Sequence, residues 1–220
     1  MTDRPPDQLR PVSVELGFTE STPGSVLISM GKTRVLCTAS IEDEVPRWMR
    51  DSRKGWVTAE YSMLPGSSPE RVRRDHVSGG RALEISRLIG RALRAAVNLQ
   101  AMGESMARVD CDVIEADGGT RTAAITGAWI ALHQAFTDAV ERELMPTNPI
   151  IDEIAAVSVG IVAGEKVLDL DYAKDVNAEV DLNVVLSGRG LLVEVQGTAE
   201  GAPFSRQDLD ELLDLATVGI

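Results

Sequence analysis

The chain has 220 residues and the composition of an ordinary globular protein, with 44% hydrophobic and 25% charged residues. A chain of this length can bury a sizeable core without disulfides, and it predicts one large domain or two small fused ones. Its formal net charge of −12 argues against passive coating of nucleic acid. The charge is uneven, because residues 47–94 carry eleven Lys and Arg against five Asp and Glu, which is compatible with a local basic channel.

The cysteines and the apolar runs indicate where the protein works. Cys37 and Cys111 lie in alternating apolar runs, which predicts free, buried thiols in a reducing compartment. The first thirty residues contain no apolar core typical of a signal peptide. The longest uncharged run, residues 122–137, is too short and too polar to span a bilayer. We therefore expect a soluble, cytoplasmic protein.

The first half of the chain predicts a hairpin, a strand, a helix, a strand and a second helix. Apolar segments on either side of Gly31-Lys32 predict the hairpin, and "GWVTAEYSML" predicts the next strand. The segment "GSSPERVRRDHVSGG" has the composition of a loop. The apolar period is helical from Arg81 to about Gln100, "ARVDCDVIE" alternates as a strand, and a further helix reaches about Glu143.

The second half repeats the order of hairpin, strands and helix. The segment "IAAVSVGIVAGEKVLDLDY" predicts a hairpin that turns at Gly164-Glu165, and "AEVDLNVVLS" and "LLVEVQGT" predict two more strands. A final helix opens at Ser205, with Asp208 as its capping partner. The repetition predicts a duplicated α+β unit in one domain, 1–220, whose halves are roughly 1–148 and 149–220.

The stretch "ADGGTRTAAITGAW" joins two glycines to the start of a helix. The first turn of a helix has unpaired N–H groups and the positive end of the helix dipole, and glycine lets an anion approach the backbone. Thr120 adds a hydroxyl, and the guanidinium of Arg121 suits two phosphate oxygens, so Gly119-Thr120-Arg121 predicts an anion site. The alternative is a helix capped by Asp117 or Thr120, with Arg121 in water.

Arg81 repeats this pattern, because it follows Gly79-Gly80 at the start of the other long helix. The helix dipole does not favour an arginine at an N-terminus, which supports a role as an anion ligand. Arg87, Arg91 and Arg94 share the helix face opposite the apolar one. A solvated helix face is the ordinary interpretation of such a charge run.

A group of acidic residues lies in the second half. The strand "AEVDLNVVLS" places Glu179, Asp181 and Asn183 on one face, and Asp175 stands just upstream in the predicted loop. Carboxylates gathered in this way could hold Mg²⁺ beside a phosphate or act as an acid/base pair. The solvent-facing edge of an antiparallel sheet would show the same pattern.

Many segments, taken in chain order, resemble the ribonuclease PH family. They are "DQLRPV", "GSVLI", "VLCTAS", "GWVTAEYSMLP", "EISRLIGRALRAAV", "DCDVIEADGGTRTAAITGAW", "AAVSVGIV", "AEVDLNVV" and "LVEVQGTAEGAPFSR". These segments extend over nearly the whole chain. The number of ordered matches makes the resemblance specific, whereas the Gly-Thr-Arg motif alone would not.

The resemblance implies a phosphate-dependent 3′-to-5′ exoribonuclease that trims the 3′ ends of tRNA precursors. Inorganic phosphate would be the co-substrate, nucleoside 5′-diphosphates the products, and nucleotide addition the reverse reaction. It also implies a duplicated α+β fold and a homohexameric ring with RNA in a central channel. The positions that match the family's phosphate site are Arg81, Gly119, Thr120 and Arg121. Asp175 and Asp181 match its two catalytic aspartates, which associate with a metal ion expected to be Mg²⁺.

The chain also departs from the family pattern. The opening "MTDRPPDQLRP" retains only Arg4 of the usual Arg-x-Asp-Gly-Arg, and the loop after "MLP" is shorter, with Gly66 in place of an arginine. The residues that could replace the loop's RNA-binding arginines are Arg71, Arg73 and Arg74. The family's last helix normally continues beyond "LATVGI". A non-catalytic, RNA-binding and ring-forming paralogue is therefore an alternative, and a phosphate-handling transferase with a non-RNA substrate is a third hypothesis.

Overall fold

The computed structural model describes residues 4–73 and 79–220, and its first half forms a five-stranded sheet. The strands are β1 (Val12–Leu16), β2 (Gly24–Met30), β3 (Thr33–Glu42), β4 (Trp56–Met63) and β5 (Met106–Glu115), in the order β1-β2-β3-β5-β4. Neighbouring strands are antiparallel except for β4 and β5, which are parallel and are connected through helix α1 (Gly80–Ala95). A short 3₁₀ turn covers Arg47–Met49, and α2 (Thr120–Glu141) follows β5.

The second half forms an antiparallel sheet of four strands. The strands are β6 (Ile154–Val162), β7 (Glu165–Leu168), β8 (Ala178–Ser187) and β9 (Leu192–Ala199), in the order β7-β6-β8-β9. One helical turn, α3 (Tyr172–Asp175), links β7 to β8, and α4 (Arg206–Gly219) packs against β6 and β7. Ser205 and Asp208 form the predicted capping box of α4.

Helix α2 lies between the two sheets. It packs on β2 and β3 on one side and on β6 on the other. The Thr126 hydroxyl accepts a hydrogen bond from the Ala156 N–H, and the Trp129 indole donates to the Asp152 carbonyl. Small buried side chains let the backbone of α2 approach its neighbours closely: Ala123, Ala124, Ala128, Ala131 and Ala135. Helix α2 therefore begins where the two halves meet.

The mixed α+β fold and both hairpins are confirmed, but helix α1 is shorter than predicted. It ends at Ala95 rather than near Gln100. The Ile151 N–H donates to the Ala96 carbonyl, and Val97 forms an isolated antiparallel bridge with Ile150. Contacts with the segment before β6 thus replace the last predicted helical turn, although the apolar period continues.

Strand β1, helix α3 and the 3₁₀ turn were not predicted, and the halves differ more than a plain duplication implies. Asp175 ends the short helix α3 instead of lying in a loop. The second half, all of which the structure describes, has no parallel crossover like β4-α1-β5. The division near residue 148 stays a prediction. No helix within the described ranges has the length and apolar character needed to cross a bilayer.

Candidate active site

A cavity of about 990 Å³ opens between the two halves. Six of the predicted site residues line it, contributed by α1, α2, α3, β8 and the turn before α2: Arg81, Gly119, Thr120, Arg121, Asp175 and Asp181. The loop of residues 66–70 forms part of its rim. The fold thus brings the cationic and the acidic residues, which are far apart in sequence, to one site.

The glycine turn, residues 117–121, carries the strand β5 into helix α2. Gly118 and Gly119 have left-handed φ angles of 75° and 66°, which other residues rarely adopt. A Cβ on Gly118 would lie only 2.5 Å from the Leu170 carbonyl oxygen. In the described chain no side chain caps α2, so the capping alternative for Asp117 or Thr120 is wrong. The helix N-terminus therefore retains its capacity to bind an anion.

The side chain of Thr120 is fixed by a buried tyrosine. The hydroxyls of Thr120 and Tyr61 are 2.8 Å apart, and either one can donate. Burial raises the pKa of Tyr61, although the Thr120 hydroxyl and the charges of Arg81 and Arg121 oppose this effect. Tyr61 is therefore a neutral phenol that orients the threonine at the edge of the cavity.

Arg121 is positioned by residues from both halves. Its Nη1 donates to Gln196 Oε1 at 2.9 Å and lies 3.7 Å from Glu84 Oε1. Gln196 Nε2 in turn donates to the same Glu84 oxygen at 2.8 Å, so α1, α2 and β9 are connected through one network. Of the three guanidinium nitrogens of Arg121, only Nη1 is hydrogen-bonded to a described residue. The other nitrogens leave donors for a ligand. Arg81, in the first turn of α1, is exposed and adds a second cation to the cavity.

The two aspartates form the opposite wall of the cavity. Asp181 is half-buried, and within the described structure its buried Oδ1 has no hydrogen-bond partner. Burial raises the pKa of Asp181 to about 6, and the charges of Asp175 and Glu200 add to this effect against those of Arg121 and Arg81. Partial burial also raises the pKa of Asp175. Two desolvated carboxylates that repel each other are the kind of pair that a divalent cation stabilises.

The ligand set for such a cation is small. Within residues 4–73 and 79–220, no three His, Cys, Asp or Glu side chains are grouped closely enough to hold a metal ion. Mg²⁺ often uses one or two carboxylates together with water and substrate phosphates. The carboxylates of Asp175 and Asp181, with the unpartnered Oδ1 of Asp181, therefore fit the ligands that a magnesium ion prefers.

Several residues in or beside the cavity carried no role in the sequence analysis. Tyr61, Glu84 and Gln196 are polar residues in segments predicted as strands or helix, and only the tertiary contacts reveal their partners. Asn183 is 7% exposed and lines the cavity; the strand pattern predicts that it shares a face with Asp181 but indicates no function for it. Of the predicted RNA-binding arginines, Arg71 and Arg73 are exposed and do not line the cavity, and Arg74 lies outside the described residues.

Comparison with protein families and curated proteins gives a consistent result. The model for domain 1 of the 3′ exoribonuclease family matches residues 8–137, and that for domain 2 matches residues 152–219. A similar curated protein is ribonuclease PH of Methylobacterium radiotolerans, 58% identical over 219 residues, which are 98% of this chain and 92% of the relative. Ribonuclease PH of Brucella ovis is 53% identical over 221 residues, 99% and 93% of the two chains.

Solved structures share the fold. A chain of the Archaeoglobus fulgidus exosome with RNA bound to the active site has a TM-score of 0.82 at 22% identity, covering 97% of this chain and 87% of that one. Rice (Oryza sativa) Rrp46 has a TM-score of 0.79 at 19% identity, covering 97% and 90%. At these identities the likeness concerns the fold alone.

Proposed function

Because the chain belongs to the 3′ exoribonuclease family, we propose that its cavity is where phosphate attacks the 3′ end of RNA. The protein is a phosphate-dependent 3′-to-5′ exoribonuclease that processes tRNA, given 58% identity to a ribonuclease PH over 98% of the chain. One observation carries our assignment of the site. The glycine turn of the first half and the aspartates of the second half line the same cavity.

The glycine turn would hold the attacking phosphate. Its helix N-terminus supplies N–H donors, Thr120 a hydroxyl, and Arg121 a guanidinium held by Gln196. Arg81 adds positive charge from the start of α1. Phosphorolysis brings an anionic nucleophile to an anionic diester, so neutralising charge and fixing the geometry are the main tasks of the protein.

The reaction balances without a further reactant. An oxygen of hydrogen phosphate forms a bond to the last phosphorus of the RNA, and the bond from that phosphorus to the preceding 3′ oxygen breaks. The proton of hydrogen phosphate ends on this 3′ oxygen, which leaves a shortened RNA and a nucleoside 5′-diphosphate. The same positions of Thr120 and Arg121 would serve nucleotide addition, which is the reverse reaction.

Asp175 and Asp181 would hold Mg²⁺ in this site. The unpartnered Oδ1 of Asp181 and the raised pKa values of both carboxyls support this assignment. When bound, the ion supplies positive charge for the phosphoryl oxygens and for the leaving 3′ oxygen. The two carboxylates would fix its position relative to the phosphate held on the glycine turn.

The RNA and a ring assembly are the proposed partners. Arg71 and Arg73 are exposed on the loop that continues from the cavity rim, and with Arg74 they would bind RNA phosphates. Strand β1 is a sheet edge on which Val12, Val14 and Leu16 are exposed, which supports an intersubunit contact in a homohexamer.

The free thiols support a cytoplasmic location. Cys37 and Cys111 stand opposite each other on β3 and β5, and both are free and buried. Reducing conditions keep such thiols unpaired.

The test is to incubate the protein with a 3′-tailed RNA and Mg²⁺, with and without phosphate, and to separate the nucleotides released. Nucleoside diphosphates that appear only with phosphate are expected. Their absence, or equal nucleotide release without phosphate, would contradict the proposal. Tight RNA binding without turnover would support the non-catalytic paralogue, which 58% identity to a ribonuclease PH does not favour. No RNA binding even at low salt would support a non-RNA substrate.

A further inference from the structure

A buried ion pair lies directly behind the glycine turn. Arg10 is 7% exposed and Asp169 is fully buried. Nε and Nη2 of Arg10 donate to the two carboxylate oxygens of Asp169 at 2.8 and 2.6 Å, and the Arg10 backbone N–H donates to Oδ2 at 2.8 Å. Burial alone would raise the pKa of Asp169, but the hydrogen bonds and charge of Arg10, together with the charge of Arg4, outweigh it and lower the pKa. Asp169 is therefore an ionised carboxylate inside the protein.

The same guanidinium also holds the backbone of the glycine turn. Nη1 of Arg10 donates to the Asp117 carbonyl, and Nη2 donates to the Gly118 carbonyl at 3.3 Å. The Thr33 hydroxyl donates to the same Gly118 carbonyl at 2.7 Å and accepts from the Asp117 N–H at 2.9 Å. Arg10 and Thr33 therefore hold the backbone of the turn in place.

Asp169 connects this arrangement to the aspartate wall. It has a left-handed φ of 55°, and its N–H donates to the Ser158 carbonyl at 2.7 Å. The next two residues, Leu170 and Asp171, pack their backbone against Gly118. Asp171 accepts from the Lys174 N–H at 3.0 Å as the cap of α3, the helix that ends at Asp175.

We propose that the Arg10–Asp169 pair is a positioning element that sets the glycine turn against the aspartate-bearing helix α3. This inference rests on the proposed phosphate-binding role of the turn. A buried ion pair is a poor source of stability, because the cost of desolvating two charges offsets most of their attraction. A bidentate pair that also engages two carbonyls instead fixes the orientation of the groups it joins. Arg10 and Asp169 would act through the turn, without touching phosphate.

The substitution Arg10→Lys tests this inference. Lysine keeps the charge beside Asp169, but its three donors on one nitrogen cannot replace the four hydrogen bonds that the guanidinium makes to the carboxylate and to the two carbonyls of the turn. We expect the KM for phosphate to rise about tenfold, while kcat changes by less than about threefold and the KM for RNA is unchanged. Asp169→Asn should have the same signature. Arg108→Lys is the matched control, because Arg108 forms a similar fork with Glu42 on the sheet surface; it should leave all three constants unchanged.

A second variant keeps the test decisive if a single substitution prevents folding. Arg10→Met combined with Asp169→Leu removes both charges of the pair, a replacement that buried pairs often tolerate, and Arg4, whose Nη1 lies 3.7 Å from Asp169 Oδ2, keeps its hydrogen bonds to the Leu168 and Asp169 carbonyls. It should fold, with a phosphate KM raised at least as much as in Arg10→Lys. A wild-type phosphate KM in this double variant would overturn the inference. So would a fall in kcat alone with the KM for phosphate unchanged in Arg10→Lys, because that is what a merely smaller folded fraction produces.

Arg121→Ala separates this inference from the proposed function. If Arg121→Ala raises the phosphate KM and Arg10→Lys does not, the positioning role is wrong and the phosphate site stands. If neither variant raises it, the assignment of the glycine turn to phosphate is wrong. A rise in both, larger for Arg121→Ala, supports both.

Discussion

On the glycine turn, the carbonyls of Asp117, Gly118 and Gly119 each accept a hydrogen bond. On the facing wall, within the described structure, Asp181 keeps a buried carboxylate oxygen without a partner. The glycine turn is thus preorganised by the protein alone, whereas burial disfavours the charged form of Asp181 and the charges of Arg121 and Arg81 offset this only in part. In the proposed site the anion would therefore meet a surface that is already formed, whereas the two carboxylates would need a cation to balance their charge.

Removing the charge of Asp181 should have the largest effect. Asp181→Asn keeps the shape of the side chain but removes the carboxylate that would hold Mg²⁺, and we expect kcat to fall about 10³-fold. Glu179→Gln is the matched control, because Glu179 is exposed two residues earlier on the same strand face. Steady-state phosphorolysis of a tailed RNA measures both. Full activity in Asp181→Asn would mean that the acidic wall has no part in the chemistry.

Arg121→Ala should affect the preorganised wall instead. Losing a charge-assisted, two-point contact should raise the KM for phosphate about 100-fold, with a smaller change in the KM for RNA. Phosphate titrations at saturating RNA give the value. An unchanged phosphate dependence would remove Arg121 from the site.

In the absence of substrate, the pH dependence of thermal stability distinguishes the aspartate wall of the cavity from the glycine turn. Because the pKa of Asp181 is raised to about 6 in the folded protein, its ionisation destabilises the fold, and this cost is absent below the unfolded pKa and grows as the pH rises through 6. Asp181→Asn should therefore raise the melting temperature by about 3 °C near pH 8, with the gain disappearing near pH 4. Thermal denaturation with a chelator measures this gain.

Adding Mg²⁺ near pH 8 should raise the melting temperature of the wild type more than that of Asp181→Asn. If Asp181→Asn is no more stable than the wild type near pH 8, the carboxylate of Asp181 is well solvated in the folded protein.

Tyr61→Phe should have the smallest effect. It removes the hydroxyl that orients Thr120 but keeps the ring in the core, so we expect kcat/KM for phosphate to fall about threefold. The free energy of unfolding should change by less than about 1 kcal/mol in urea denaturation. A loss as large as that of Arg121→Ala would assign Tyr61 a direct contact with the ligand.

Local sequence patterns predicted the parts of the fold that depend on periodicity. The β2–β3 and β6–β7 hairpins and the cap of α4 follow from alternation and from turn and cap residues near Gly31, Gly164 and Ser205. Helix α1 was predicted too long, because the bridge between Val97 and Ile150 depends on residues about fifty positions apart.

The candidate site, like the fold, could be predicted only in part from the sequence. The charged residues that line the cavity stand in short motifs, so Arg121 and Asp181 could be named from the sequence as candidates. Their supports could not, because Gln196, Tyr61 and Asp169 acquire partners only through tertiary packing. Arg10 lies in one of the segments that resemble the ribonuclease PH family, but nothing near it in sequence indicates a contact with Asp169.

The position of helix α2 between the two sheets affects how the protein unfolds. Its small side chains belong to a core that also contains Ile154 and Ala156 of the second sheet, so neither sheet can separate without exposing the other's interior. The two segments that match separate family domains should therefore unfold in a single cooperative transition. An anion held at the first turn of this shared helix would then slow the global opening of both sheets, including strands far from the cavity.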